Sequence, residues 1–219
     1  MVKLLKSVFF TNFAIVNSKK TMKLVIMTRP TFFVEEDKIL TTLFDEGLDN
    51  LHLYKPDSSP LYSERLLSLM PEEYYDRITV HEHYYLKDEY RLAGIHLPEC
   101  DTPLPEGYKG KYSRTCSILE NLKDARKKAK YVFLPGVFGS SHGGAAFTRD
   151  ELKEASRHDY IDRHVYAMGG VTADNIREAK DLGFGGVVIC SDLWNKFDIH
   201  RQQDFKELIT YFEKLRRTV

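Results

Sequence analysis

Cysteine is scarce here, and so is any surplus of charge. The 219 residues hold three cysteines, Cys100, Cys116 and Cys190, far apart and without a C-x-x-C pair. An odd, scattered set builds neither a disulfide framework nor a zinc ribbon. The expected compartment is therefore a reducing cytoplasm, each thiol packing as a small apolar group. Basic and acidic side chains number 32 each, for a formal net charge of zero. With no basic stripe interleaved with aromatics, nucleic acid is not an expected partner. The longest apolar runs fall well short of the roughly 18 residues that cross a bilayer, so no membrane association is expected.

What remains is a globular composition, 42% hydrophobic and 29% charged, long enough for one large domain. The stretch "MVKLLKSVFFTNFAIVNSKKT" has basic residues and a short apolar patch, as a signal peptide does. Thr11 and Asn12 interrupt the patch, and no A-x-A-like cleavage site follows. Residues 1–21 are expected to be an extension outside the fold, and 22–219 a single domain.

From Met22 the chain alternates strand-like and helix-like segments. Strands are expected at 23–28, 50–54, 77–81, 94–97, 112–116, 131–135, 164–168 and 186–190. Between them, Ile39, Leu40, Leu43 and Phe44 share one helical stripe, and Ile176, Ala179 and Leu182 another. "SILENLKDARKKA" and "RQQDFKELITYFEKLRR" are further helical patterns. The third helix, near "YLKDEYRLA", is weak, and 98–111 holds no full helix. Thr172 is an expected N-cap, and Gly47 and Gly183 are expected helix stops. Eight short apolar strands alternating with helices favour a closed (β/α)8 barrel of the TIM type over an open doubly wound sheet.

In such a barrel, chemistry gathers at the C-terminal ends of the strands. That places His52, Tyr54, Lys55, His81, Glu82, Asp101, Thr115, the 135–147 loop, Gly169, Gly170 and Ser191 at the mouth. In "NLHLY", alternation turns Leu51 and Leu53 toward the helices and His52 and Tyr54 inward. "VYAMGGVTADNIREAKDLGFGGVVICSDLW" carries two Gly-Gly pairs, read as backbone-exposing turns set side by side on a phosphate. Gly169 and Gly170, with Val188 and Ser191, are its expected contacts, because exposed N–H groups and a helix N-terminus attract an anion.

The same stretch resembles the C-terminal signature of the thiamine-phosphate synthase and TenI superfamily, in which Gly-Gly-[IVM], an Asn-bearing helix, Gly-[AF]-x-Gly and a strand ending in serine follow in order. "GIHLPECD" is similar to that family's Gly-Val-His-Leu-Gly-Gln-x-Asp. "SRTCSILENLKDA" is similar to its Ser-x-His-[ST]-Leu-Glu-Glu segment. "AKYVFLPGVFGSS" is similar to Asp-Tyr-[IV]-x-x-Gly-Pro-Val-Phe-x-Thr, with Gly and Pro exchanged. The resemblance runs from about Lys23 to Leu215.

It implies a (β/α)8 barrel and a small phosphorylated thiazole as partner; a homodimer is compatible with it. Synthases of the family join the thiazole phosphate to a pyrimidine pyrophosphate with Mg2+, gripping the leaving group through fixed cations. Here His52, Tyr54 and Pro56 stand where that grip reads Gln, Arg and Lys. Lys55 is one place early, and Gly143 replaces the sixth-loop lysine. Asp101 stands at a family Mg2+ position, and Glu82 is a candidate second ligand. Mg2+ is needed only by the synthase reading. Lys55, Arg114 and Arg29 are available to rebuild the grip.

TenI-like members also lack those cations and move a proton, a task suited to histidine. The family's catalytic histidine precedes Val-Phe, where this chain has "PGVF". His142, in the same loop, and His52 are the available catalytic groups. His81 and His96 each end a strand, and His96 matches a family structural position. Tyr54 and Phe138 could stack on a heterocycle, with Lys55 and Thr115 as polar contacts. The expected function is therefore a TenI-like proton transfer. The alternatives are a divergent thiamine-phosphate synthase and a non-catalytic phospho-ligand sensor.

Overall fold

Alternation along each strand separates two sets of side chains, and both find partners. The computed structural model describes residues 22–139, 143–197 and 205–219. The expected extension, 1–21, and His142 lie outside the described residues.

Eight parallel strands follow one another around the barrel: β1 (Lys23–Met27), β2 (Leu51–Leu53), β3 (Ile78–Val80), β4 (Gly94–Leu97), β5 (Tyr112–Thr115), β6 (Val132–Leu134), β7 (Val165–Met168) and β8 (Gly186–Ile189). β1 pairs with β8 from Lys23↔Gly186 to Ile26↔Ile189, which closes the barrel and excludes an open sheet. All eight expected strands are present, each within one residue of its expected ends.

The helices are α1 (Glu36–Asp45), α2 (Pro60–Ser68), α3 (Leu86–Glu89), α4 (Leu122–Lys128), α5 (Arg149–Arg157), α6 (Ile176–Asp181), α7 (Ser191–Trp194) and α8 (Lys206–Thr218), with 3₁₀ turns at Glu72–Arg77 and Leu119–Asn121. The weak third helix is one turn, α3, and residues 98–111 form no helix. Helix α1 buries Ile39, Leu40, Leu43 and Phe44 at the spacing of one helical stripe. Pro60 opens α2 at its first position, where the missing N–H costs no hydrogen bond. Thr148 and Glu151 close a capping box on α5. Helices α1 and α6 stop just before Gly47 and Gly183, as expected.

Thr172 is not the N-cap expected of it. Helix α6 begins four residues later, at Ile176. The Thr172 hydroxyl accepts only from the Asp174 N–H, at 3.3 Å, and the Asn175 side chain ties the turn, accepting from the Thr172 N–H at 2.9 Å and donating to Gly170 O at 2.8 Å. An Asn amide bonds in both directions at once, which a threonine at 172 would not do for the preceding turn.

The outward set, including Ile26, Leu53, Ile78, Val80, Ile95, Leu97, Val132, Leu134, Val187 and Ile189, packs under the helices in one continuous core. Each such side chain contributes roughly 1.5–3 kcal/mol by leaving water. The inward apolar set is small, being Val25, Met27, Tyr131, Phe133, Tyr166 and Val188. The remaining inward positions on β2 to β5 are polar.

Candidate active site

The polar half of the barrel interior comes from four adjacent strands. His52 sits at the middle of β2, and its outward neighbours Leu51 and Leu53 belong to the helix-facing core. The same alternation turns Thr79 and His81 inward around β3, His96 on β4, and Ser113 and Thr115 on β5. His52 and His96 are fully buried, whereas His81, just past β3, keeps part of its surface exposed. The three rings meet. His81 and His96 stack with centroids 4.2 Å apart, and His52 stands nearly perpendicular to both, at 5.0 and 5.2 Å.

Hydrogen bonds tie these rings to the barrel. Asn50 Nδ2 donates to the Tyr131 hydroxyl at 2.9 Å, and that hydroxyl shares a 2.7 Å bond with His52 Nε2. His52 Nδ1 shares a 2.8 Å bond with His81 Nε2, so an unbroken path runs from Asn50 to the half-buried His81. His96 Nδ1 and Nε2 bond the hydroxyls of Ser113 and Thr115 at 2.8 and 3.0 Å. Burial lowers all three histidines, with His81 pushed down to about 3 and the other two well below the usual range. Neighbouring rings add a smaller push in the same direction on His52 and His96. At neutral pH the cluster is uncharged, and each ring keeps one N–H and one lone pair.

The nearby cations are committed elsewhere. Lys55 was expected as a ligand contact, but it is buried and turned out of the barrel. Its Nζ donates to both Glu36 carboxylate oxygens, at 2.6 and 2.9 Å, and to Thr31 O at 3.1 Å, with the Phe32 ring 4.4 Å away. Burial pushes Glu36 up and Lys55 down, and the partner charge opposes both changes. Arg29 donates to Trp194 O at 2.6 Å and Phe197 O at 3.3 Å. Arg114 faces outward, stacked on Tyr112 and donating to Cys100 O.

The glycine-rich turns are arranged differently from the expectation. Gly169–Gly170 follows β7 at the mouth, but Gly185–Gly186 lies where β8 begins, at the opposite end of the barrel. The two pairs are not side by side, because one strand length separates a β-strand's entry from its neighbour's exit. What does stand beside the β7 turn is the exit of β8, where Ser191 opens α7. Gly169 and Gly170 have φ of 91° and 64°. A Cβ on Gly169 would lie 2.5 Å from Gly139 O, and one on Gly170 would lie 2.7 Å from the Phe138 carbonyl carbon. These glycines thus let the β6 loop lie directly on the β7 loop, joined by the Phe138 N–H donating to Gly169 O at 3.0 Å. Ser191 is exposed, whereas the Val188 side chain belongs to the apolar interior cluster.

Of the other expected residues, Tyr54 packs edge-on to His81 at 5.3 Å, and Thr115 holds His96. Phe138 is half-buried on the loop above β6. Glu82 accepts from the Lys55 N–H at 2.9 Å. Asp101 is exposed and lines a cavity of about 540 Å³ beside Arg114, Asn121 and Lys128, on the helix side of β5. Among the described residues, neither carboxylate belongs to a group of three or more converging ligand side chains. Another cavity, of about 560 Å³, is lined by Met22, Lys23, Arg163, His164 and Tyr166 at the strand entries, the opposite end of the barrel from His81. The chemistry of the donor set, not the size of a hollow, marks the mouth.

Tyr131, Asn50 and Ser113 were not foreseen as site residues. A signal existed for Tyr131, since Val132 and Leu134 must face the helices and so leave 131 and 133 inward.

Comparisons with known proteins bear on the family and the barrel fold. No protein-family model matches the chain, and no curated protein matches it. Among solved structures, a thiamine phosphate pyrophosphorylase from Bacteroides thetaiotaomicron is 47% identical, with a TM-score of 0.83 over 90% of this chain and 97% of that one. A thiamine phosphate pyrophosphorylase from Pyrococcus furiosus, 19% identical, covers 90% and 95% with a TM-score of 0.68. A 3-hexulose-6-phosphate synthase, 12% identical, covers 90% and 100% at 0.61. The last two likenesses concern the fold alone.

Proposed function

Because the chain belongs to the thiamine-phosphate synthase/TenI superfamily, we propose that it binds a phosphorylated thiazole at the barrel mouth and moves a proton on it, as a tautomerase does. One observation carries this reading. Uncharged histidines joined by hydrogen bonds line the mouth, while Lys55, Arg29 and Arg114 are held by Glu36 and by backbone carbonyls. Stabilising a departing pyrophosphate requires fixed positive charge, and proton transfer does not.

The half-buried His81 is the group that meets the ligand, with Tyr54 beside it to pack on the heterocycle. His52 is fully buried and acts through His81, as a positioning and relay residue. When His81 loses or gains a proton on its outer nitrogen, the proton shared with His52 shifts to compensate, and Tyr131 completes the path. His142 remains a second candidate base on the 135–147 loop. The phosphate is taken by backbone N–H groups of the Gly169–Gly170 turn and of Ser191, with the Ser191 hydroxyl, at the exits of two paired strands.

The test follows solvent deuterium into a carboxylated thiazole phosphate by NMR, with purified protein and with His81→Gln. Exchange in the wild type, lost in the variant while ligand binding persists, is expected; no exchange in the wild type overturns the reading.

A second reading is a divergent thiamine-phosphate synthase, supported by the activity for which the 47% identical relative is named. Incubation with both synthase substrates and Mg2+ separates the two, since thiamine phosphate formation would replace the tautomerase reading. Thiazole phosphate binding without either turnover points to a sensor.

A further inference from the structure

We propose that His52, His81 and His96 form a binding site for one divalent transition-metal ion of the zinc type. Among the described residues they are the one group of three or more such side chains whose ligand atoms all lie within 4.8 Å of one another. The donor chemistry is all imidazole nitrogen, which suits zinc, cobalt, nickel and copper and not magnesium or calcium.

The ring geometry is close to what such an ion requires. With zinc–nitrogen bonds of about 2.0–2.1 Å and tetrahedral angles, the centroids of two coordinating imidazoles lie about 5 Å apart. The His52–His81 and His52–His96 centroids are 5.0 and 5.2 Å apart, with planes at 72° and 73°. The stacked His81–His96 pair, at 4.2 Å, has to open, and the 2.8 Å His52–His81 contact has to widen to about 3.3 Å. His81, the only partly exposed ring of the three, makes that movement, and His96 Nε2 exchanges the Thr115 hydroxyl for the ion.

Two further features favour a cation. His52 Nδ1 and His81 Nε2 face each other at 2.8 Å with a single proton between them, and a metal binds both lone pairs once that proton has shifted to the far nitrogen of its own ring. The nitrogens left over are already oriented, His52 Nε2 by the Tyr131 hydroxyl and His96 Nδ1 by Ser113, as outer partners commonly hold metal-bound histidines. The fourth coordination position faces the mouth, beside Tyr54, and is taken by water or a ligand atom. This inference uses the same side chains as the proton-transfer reading but does not rest on it. A bound ion would occupy the lone pairs that the proton path needs and so would inhibit turnover.

The experiment titrates chelator-treated, full-length protein with Zn2+ by calorimetry and with Co2+ by visible absorption. One ion per chain and the intense bands of tetrahedral cobalt are expected. His81→Gln, at the rim, should weaken binding by more than about tenfold, whereas His158→Gln, exposed at the C-cap of α5, should leave it unchanged. Circular dichroism confirms that each variant is folded. No binding by the wild type, weak octahedral cobalt bands, affinity unchanged by His81→Gln, or loss on His158→Gln would each overturn the site. Because binding is read without substrate, its failure leaves the tautomerase test untouched, and the reverse also holds.

Discussion

His52 Nδ1 lies 2.8 Å from His81 Nε2 inside the barrel, at the centre of a hydrogen-bonded path that begins at Asn50 and ends at the mouth. Two uncharged imidazoles at that distance hold one proton between them, and several measurable properties depend on it.

The first is the pH dependence of stability. An unfolded histidine titrates near 6.5, whereas burial brings His81 down to about 3 and His52 and His96 well below the ordinary value. Between those limits the unfolded chain binds more protons than the folded one, so stability rises with pH. It should be complete above about 6.5 and fall as pH drops toward 3, each such histidine adding up to about 1.4 kcal/mol per pH unit. Urea unfolding across this range checks it, and a flat profile between pH 6.5 and 4 contradicts it.

Tyr131 joins Asn50 to His52, so Tyr131→Phe leaves a half-buried donor and a buried ring nitrogen without their partner. The cost should be about 1–3 kcal/mol in urea unfolding. If the path relays protons, kcat for deuterium exchange falls while the ligand dissociation constant holds. A fall in affinity alone would make Tyr131 a packing residue only.

Lys55 and Glu36 form a buried pair, so removing one partner strands the other. Lys55→Met should destabilise the protein by about 3–5 kcal/mol, and adding Glu36→Leu should recover most of it. Ligand binding should survive in the double variant, because neither side chain faces the mouth. Loss of binding there, with the fold intact, would return Lys55 to the site.

Gly170→Ala places a methyl 2.7 Å from the Phe138 carbonyl carbon, at a φ of 64° that costs a non-glycine residue about 1–2 kcal/mol. The β6 loop must move off the β7 turn. Thermal unfolding should show the loss, and phosphate-ester affinity should fall at least about tenfold, in line with about 1.4 kcal/mol of lost positioning. Unchanged affinity would take this turn out of the phosphate site.

Most of the barrel could be read along the chain because its signals are local. A strand such as "NLHLY" states by alternation which side chains leave the barrel, and His52 points where that rule puts it. Helix stops at Gly47 and Gly183 were equally local. Thr172 misled because its own side chain suits a cap, and only the fold shows Asn175 reaching back to Gly170 to hold the turn. The second glycine pair misled for another reason. Distance along the sequence does not say which end of a strand a turn occupies, and Gly185 precedes β8 where Gly169 follows β7.

Eight strands, their inward and outward faces and the family are all legible along the chain, because alternation and motif order are properties of neighbouring residues. Which inward side chains share one level of the barrel depends instead on how the strands close on one another. Closure and register bring His52, His81 and His96 together from three strands and set Tyr131 beneath them. They also carry Lys55 away to Glu36, 19 residues back along the chain, where a buried charge requires its counter-charge.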